Sequence, residues 1–254
     1  MEKKNKIALI TGGSRGLGRN MALAIAKKGL DILITYNTNQ EAADEVVAEI
    51  KSMGQRAAAF KLDTSDISNF APFVSSLTAY LRQETGSEHI DYLVNNAGTA
   101  LYAPVAETTV EQMDAIFNIH FKGVFFLTQQ LLPYINEGGG IVNISSGLTR
   151  IAMPGSSVYG SMKSAVETLT RYLAKELGSR KIRANVIAPG AIATDFGGGR
   201  VRDNEALNAQ IASVTALGRV GLPDDIGGVV AFLCSDDAFW VNAQRIEVSG
   251  GQAI

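Results

Sequence analysis

The sequence predicts an α/β fold: one doubly wound parallel sheet of about seven strands flanked by helices. Three observations carry this. Short apolar runs alternate with longer segments of helical period along the chain. Most of the runs are apolar on successive residues, the pattern of strands covered on both faces. The first run ends in a glycine-rich turn that opens a helix-like segment.

The strand candidates are residues 7–11, 31–35, 57–62, 90–95, 140–145, 182–188 and 245–249. Between them, segment 16–28 lines up Leu17, Met21, Ala24 and Ile25 on one stripe, and segment 40–53 does the same with Ala43, Val46, Val47 and Ile50. Thr108-Thr109-Val110-Glu111 reads as a capping box opening a helix that runs through Leu132. Residues 157–178 form another long helix, with Gly178 as its stop. Gly138-Gly139-Gly140 reads as a turn before a strand. No Pro/Gly/Ser linker divides the chain, so residues 1–254 are expected to form a single domain. One stretch, near 195–218 and led by Phe196-Gly197-Gly198-Gly199, has no place in the sheet and is expected to be a mobile loop over a binding site.

Composition narrows the function. Of 254 residues, 46% are hydrophobic and 19% charged, which suits a packed core and excludes a disordered chain. A net charge of −2 gives no basic field for nucleic acid or an anionic membrane. No apolar run approaches the ~20 residues of a membrane span. The apolar stretch near the start is too short for a secretion signal, and the one cysteine, Cys234, cannot form an internal disulfide, so a cytoplasmic protein is expected. Cys234 itself sits in an apolar segment and reads as a buried thiol.

The turn Thr11-Gly12-Gly13-Ser14-Arg15-Gly16-Leu17-Gly18 lets backbone approach a ligand closely, and the helix behind it offers free N–H groups and a positive dipole end to a pyrophosphate. Its place after the first strand is where dinucleotide sites lie. An acidic residue at the end of the second strand would hold a ribose 2′-hydroxyl, but Tyr36-Asn37-Thr38 stands there; Asp31 begins the strand and Glu41 is already in the next helix. Arg15 either pairs with a 2′-phosphate or is a solvated turn residue, and the balance favours NADP(H) over NAD(H).

Tyr159 and Lys163 stand four apart and share a helix face. A nearby ammonium favours the phenolate, which makes such a pair an acid/base unit for a ketone and an alcohol, although the pair alone also reads as an ordinary surface pair. Upstream, Ser145-Ser146 ends an apolar strand where ligands bind in such sheets. The sequon Asn143-Ile144-Ser145 falls in a buried-looking strand and is discounted as a glycosylation site. His120, alone in an apolar helix, is expected to be packed and neutral, with no role. No His/Cys/Asp cluster has metal-ligand spacing.

Together these motifs resemble the short-chain dehydrogenase/reductase family in its compact form, over nearly the whole chain. Thr11 to Gly18 matches the family's cofactor turn, Asn95-Asn96-Ala97-Gly98 its motif after the fourth strand, and Pro189-Gly190-Ala191-Ile192-Ala193-Thr194 its segment after the sixth. Ser146, Tyr159 and Lys163 match its catalytic trio, with thirteen residues from serine to tyrosine (159 − 146). The resemblance implies a Rossmann-type sheet and an NADP(H)-dependent oxidoreductase that interconverts a ketone or 3-oxoacyl group and a secondary alcohol. Tyr159 would be the general acid in reduction and the base in oxidation. Lys163 would bind the nicotinamide ribose and lower the tyrosine pKa, and Ser146 would polarise the carbonyl. Asn118 would organise a proton-relay water. Gly12, Ser14, Arg15, Gly16, Leu17 and Gly18 would cradle the cofactor, with Tyr36, Asn37 and Thr38 beside them. Asp63 would contact the adenine, and Asn95 and Gly98 would line the adenosine side. Ile192 and Thr194 would hold the carboxamide, and Thr64, Ala97, Pro189 and Gly190 fall in the same cofactor-binding segments. Relatives of this size imply a homotetramer. Ala243 and Ser249 stand where the family has glycine and aspartate, which loosens the inference about subunit packing.

Two other readings compete. A dinucleotide-binding sensor without turnover would be expected to have lost Tyr159 or Lys163. A serine hydrolase built on Ser146 or Ser157 would need a Gly-x-Ser-x-Gly elbow, which is absent, and has only His89 and His120 as bases. Substrate choice is assigned to 195–218, 99–108 and 150–156.

Overall fold

The computed structural model describes residues 5–254; residues 1–4, part of the lead-in to the first strand, lie outside the described residues. The strands are β1 (Ile7–Ile10), β2 (Asp31–Tyr36), β3 (Ala57–Lys61), β4 (Ile90–Asn95), β5 (Ile135–Ile144), β6 (Arg183–Pro189) and β7 (Arg245–Val248). They form one sheet in the order β3-β2-β1-β4-β5-β6-β7, every pair parallel. The order reverses between β1 and β4, which opens a crevice at the carboxyl ends of those strands.

The unbroken apolar runs have a direct cause. In β1, Ala8 and Ile10 pack into one core with Met21, Ile25, Ile34 and Val230, while Ile7 and Leu9 pack into a second with Leu33, Phe73, Leu77 and Leu173. Alternate side chains leave opposite faces of a strand, and both faces are covered. Each such Leu or Ile contributes roughly 1.5–3 kcal/mol of burial. The covering helices are α1 (Gly16–Ala26), α2 (Gln40–Ser52), α3 (Phe70–Thr85), α4 (Val110–Phe117), α5 (Gly123–Leu131), α6 (Ser157–Glu176), α7 (Arg200–Asp203), α8 (Glu205–Ser213) and α9 (Asp224–Leu233).

Four local expectations are corrected. The capping box lies one residue on: the Thr109 side chain accepts from the Gln112 amide, and the Gln112 side chain accepts from the Thr109 amide. The helix it opens does not run unbroken to Leu132. A π-turn, Asn118–Lys122, separates α4 from α5, with the Gly123 amide bonded to the Asn118 carbonyl. The glycine triplet lies inside β5, where the pairing with β4 shifts between Ile90↔Ile135 and Tyr92↔Gly140. Gly178 opens a short 3-10 turn, and the left-handed residue that ends it is Lys181, at φ 56°. The 195–218 stretch has no strand, as expected, but carries α7 and α8. Asn143 is fully buried, in keeping with the discounted sequon.

Ala243, in the turn before β7, is held at φ 60°, a left-handed conformation that favours glycine. Its amide donates to the Ala184 carbonyl at 2.9 Å, so the turn is tied to β6 and cannot relax freely. The substitution Ala243→Gly is expected to stabilise the fold by about 1 kcal/mol, read as a higher urea midpoint with unchanged slope. A lower midpoint would mean that the turn carries no strain.

Candidate active site

One cleft of about 610 Å³ lies at the carboxyl ends of the central strands. Its first wall is the glycine turn. Gly12, Ser14, Arg15, Gly16, Leu17 and Gly18 all line it. A Cβ on Gly18 would sit 2.1 Å from the Gly12 carbonyl oxygen, so only glycine lets the turn fold back on its own helix. Arg15 is the N-cap of α1 but makes no side-chain cap bond, and the first turn of the helix holds no acidic residue, so the N–H groups there are presented to the cleft.

The motif after β4 divides its labour between two asparagines. Asn96 braces the glycine turn: its Nδ2 donates to the carbonyls of Thr11 (2.9 Å) and Gly12 (3.1 Å), and the amides of Asn96 and Ala97 both donate to Thr11 Oγ1 at 3.0 Å. Asn95, expected to line the adenosine side, instead points into the protein. Its Nδ2 donates to Asn143 Oδ1 (2.8 Å) and Thr128 Oγ1 (3.0 Å), and Asn143 Nδ2 donates to Thr170 Oγ1 (2.8 Å). This buried chain ties β4 and β5 to α5 and α6. The alternation of side chains along a strand explains the exchange: the last residue of β4 faces inward, and Asn96, just beyond the strand, reaches the cleft.

Tyr36, Asn37 and Thr38 line the cleft, as do Asp63, Thr64, Ala97 and Gly98. Asn39, beside them, caps α2 by accepting from the Ala42 amide at 3.0 Å. Asp31, the nearest strand carboxylate in sequence, is held by Arg56 at 2.7 Å. It lies at the opposite end of β2, leaving this part of the cleft without a carboxylate from that strand. Asp63 accepts from the amide (2.9 Å) and hydroxyl (2.6 Å) of Ser65, which fixes its turn. Pro189, Gly190, Ile192 and Thr194 form the opposite wall. There Gln252 Oε1 accepts from the Ala191 amide at 3.0 Å, a support from the chain's far end that sequence reasoning missed.

Ser146, Tyr159 and Lys163 come together on this cleft. Ser146 follows β5, and its Oγ accepts from the Leu148 amide at 3.2 Å. Tyr159 and Lys163 lie on one face of α6, with the ammonium 5.6 Å from the centre of the phenol ring. The Ser146 hydroxyl lies close enough to the Tyr159 phenol to favour its ionised form. Lys163 is buried, and its Nζ donates to the Ile144 carbonyl at 2.7 Å.

The electrostatics differ from the sequence expectation. Burial pushes the Tyr159 phenol well above its ordinary value, and the nearby Ser146 hydroxyl offsets only part of that. Burial also pulls Lys163 down, to about 7, so its charge is only partly present at neutral pH. The chain by itself builds a protonated, held phenol rather than a ready phenolate.

Asn118, expected beside this trio, does not line the cleft. Its carbonyl accepts the Gly123 amide in the π-turn, and the residue of that turn that is buried at the cleft is His120. The remaining wall is apolar and aromatic, with Tyr102, Leu148, Ile151, Met153, Phe196 and Leu207 among its residues. Phe196 stands 6.1 Å from Tyr159, ring to ring, and the Arg200 guanidinium lies 4.9 Å over the Tyr102 ring. All of these but Leu148 come from the three segments assigned to substrate choice. Cys234 is buried away from the cleft, and burial pushes its thiol up to about 12, so it is no nucleophile. Among the described residues no group of His, Cys, Asp or Glu could hold a metal, and no helix is long and apolar enough to cross a membrane.

Comparison with known proteins agrees with this architecture. A family model described as enoyl-(acyl carrier protein) reductase matches residues 12–253. A short-chain type dehydrogenase/reductase of Picea abies is 39% identical over 259 residues, covering 97% of this chain and 92% of that one. A hydroxynaphthalene reductase-like protein of Metarhizium brunneum is 38% identical over 257 residues, covering 97% and 94%. The solved structure of the angucycline C-6 ketoreductase LanV, with bound NADP, superposes with a TM-score of 0.93 at 35% identity over 98% of this chain and 95% of that one. The chain belongs to the short-chain dehydrogenase/reductase family and is an oxidoreductase.

Proposed function

We propose that this oxidoreductase interconverts a ketone and a secondary alcohol with NADP(H), with Tyr159 as the proton donor in reduction. The observation that carries the reading is the Tyr159–Ser146 hydroxyl pair above Lys163, in a cleft continuous with the glycine turn.

The residues fit a dinucleotide with a 2′-phosphate. The uncapped first turn of α1 supplies N–H groups for the pyrophosphate. No carboxylate of β2 stands near Tyr36, Asn37 and Thr38 to repel a phosphate. Arg15 supplies a cation, although its NH1 is paired with Asp195 Oδ2 at 2.6 Å, between the glycine turn and the loop before α7. Side-chain exposures of 76% and 37% make this a surface pair, worth about 0–1 kcal/mol, which a phosphate readily displaces. The NADP held by LanV supports the same choice.

When bound, NADP(H) supplies or takes the hydride. The chain does the rest. Ser146 Oγ and Tyr159 Oη form two adjacent hydroxyls to which a ketone oxygen hydrogen-bonds. Negative charge developing on that oxygen is met by both donors, and the proton passes from Tyr159 Oη. Tyr159 carries its proton at neutral pH and so can serve as the donor in reduction. Lys163, fixed by the Ile144 carbonyl, places a partial positive charge beneath the phenol ring and steadies the phenolate left behind. Oxidation runs the same path in reverse. The apolar wall favours a bulky, flat ketone over a small polar one, in keeping with the aromatic substrates named for the Metarhizium relative and LanV.

Tyr159→Phe is expected to lower kcat by about 10²–10⁴-fold with NADPH affinity kept, measured by NADPH oxidation over fused-ring ketones, 3-oxoacyl thioesters and sugars. Wild-type turnover by that variant would refute the role of Tyr159. Arg15→Ala is expected to weaken NADPH binding by about tenfold and leave NADH binding unchanged, measured by cofactor fluorescence. Equal weakening of both cofactors would show that Arg15 does not read the phosphate.

A further inference from the structure

Arg200 is a charged side chain of the cleft that the proposed chemistry leaves unused. It lines the cleft at its exposed rim, and its guanidinium lies 4.9 Å over the Tyr102 ring. The fold puts it there. Gly197, Gly198 and Gly199 all take left-handed conformations, at φ 63°, 74° and 75°, and the amides of Gly198 and Gly199 both donate to the Asp195 carbonyl at 3.1 Å. That turn closes around Tyr102: a Cβ at position 197 would lie 3.1 Å from Tyr102 Oη and 3.2 Å from its Cε2. Tyr102 is braced in turn through its neighbour Ala103, whose amide donates to the Gly155 carbonyl at 2.9 Å. The cation therefore rests on a ring that three loops hold in place, and a group held ready binds a partner at less entropic cost.

The other charged side chains that line the cleft have polar partners. Arg15 is paired with Asp195, Asp63 accepts from Ser65, and Lys163 donates to the Ile144 carbonyl. Two residues beyond Arg200, Arg202 is neutralised by Asp203 through hydrogen bonds of 2.6 and 2.8 Å. Among the described residues the Arg200 guanidinium has no hydrogen bond and no ion pair. The Tyr102 ring covers one of its faces and engages none of its N–H groups. Those groups form a planar fork that matches a carboxylate or a phosphate. At the other end of the same turn, Phe196 stands 6.1 Å from Tyr159, ring to ring. Proton donor and unpaired cation thus stand at two ends of one aromatic wall.

We infer that Arg200 selects an acidic substrate: it binds a carboxylate or phosphate carried by the ketone, at the end of the molecule away from the carbonyl that Tyr159 protonates. The inference rests on the assignment of Tyr159 as proton donor. It narrows the bulky, flat ketone favoured by the apolar wall to one with an ionised group at its rim. The anion is held through the reaction and leaves with the alcohol, so no covalent step is added. Its source is either the ketone itself, as a carboxylate, or a thioester carrier, as its phosphate.

Matched ketones isolate the charge. NADPH oxidation is followed for a tetralone carboxylate and its methyl ester, and for an acetoacetyl thioester of coenzyme A and of N-acetylcysteamine, which lacks the phosphates. NADPH is kept saturating, the state in which a 2′-phosphate holds Arg15 and leaves Asp195 to compete for Arg200. The wild-type protein is expected to favour the charged member of one pair by about tenfold in kcat/KM, mainly through KM, and the pair that shows it identifies the source. High salt is expected to shrink that preference. With folding checked by thermal denaturation, Arg200→Met is expected to abolish the preference, Arg200→Lys to keep part of it, and Arg200→Glu to reverse it. Equal kcat/KM within both pairs for the wild-type protein would overturn the inference, as it would if Asp195 takes the guanidinium. A preference that survives Arg200→Met, or a loss in that variant that is the same for charged and neutral ketones, would overturn it too. If Tyr159→Phe abolishes turnover while no charge preference exists, the inference alone fails. If Tyr159→Phe turns over at the wild-type rate, or none of the four ketones is reduced, the underlying assignment fails with it.

Discussion

The site depends on one buried contact, the hydrogen bond from Lys163 Nζ to the Ile144 carbonyl. It joins the middle of α6 to the carboxyl end of β5. Ser146 lies two residues beyond that carbonyl, and Tyr159 one helical turn before that lysine, so a single contact sets the distance between them. The arrangement is not chosen for stability. A buried cation with one neutral partner costs several kcal/mol unless it gives up its charge, and Lys163 does so in part, falling to about 7. The same burial that costs stability keeps the Tyr159 proton in place.

Two polar seams hold the frame around that contact. One is the buried chain from Thr128 through Asn95 and Asn143 to Thr170, which locks β4 and β5 to the helices on one face. The other runs along the outer edge. Glu167 Oε1 accepts from Ser145 (2.7 Å), Thr149 (2.9 Å) and Arg245 (2.8 Å), and Arg245 NH1 donates to Glu247 at 2.9 Å. Arg150 binds Glu247 and the carbonyls of Gln252 and Ala253, and Gln252 in turn holds the Ala191 amide. The loop carrying Ser146 and the wall carrying Gly190 are thereby braced by the same charges. Networks this fully satisfied rigidify what they touch.

Much of this was legible in the chain. Seven apolar runs become seven strands because a sheet covered on both faces leaves a period-free signature, and Ser146, Tyr159 and Lys163 meet because strand end and helix face are both readable locally. What was not legible depended on orientation. Asn95 and Asn96 differ only in which side of a strand end they face. Asn118 and His120 differ by a π-turn, which has no strong sequence signal, and that turn exchanged the residue expected at the cleft for one expected to be mere packing. Some clues were present: Gly98 is needed to admit an imidazole. Spacing puts the lysine beside the tyrosine but says nothing of their burial, and burial raises the phenol and lowers the ammonium.

The central claim is that burial, rather than the ion, governs the Tyr159–Lys163 pair. It is tested most directly by following Lys163 through a pH titration by ¹³C NMR of ε-labelled lysine in the wild-type protein, with Lys163→Met to assign the signal. A midpoint near 7 is the result expected. A midpoint at the ordinary lysine value of about 10.4 would contradict it, and would return the pair to a fully charged lysine acting on an ordinary phenol.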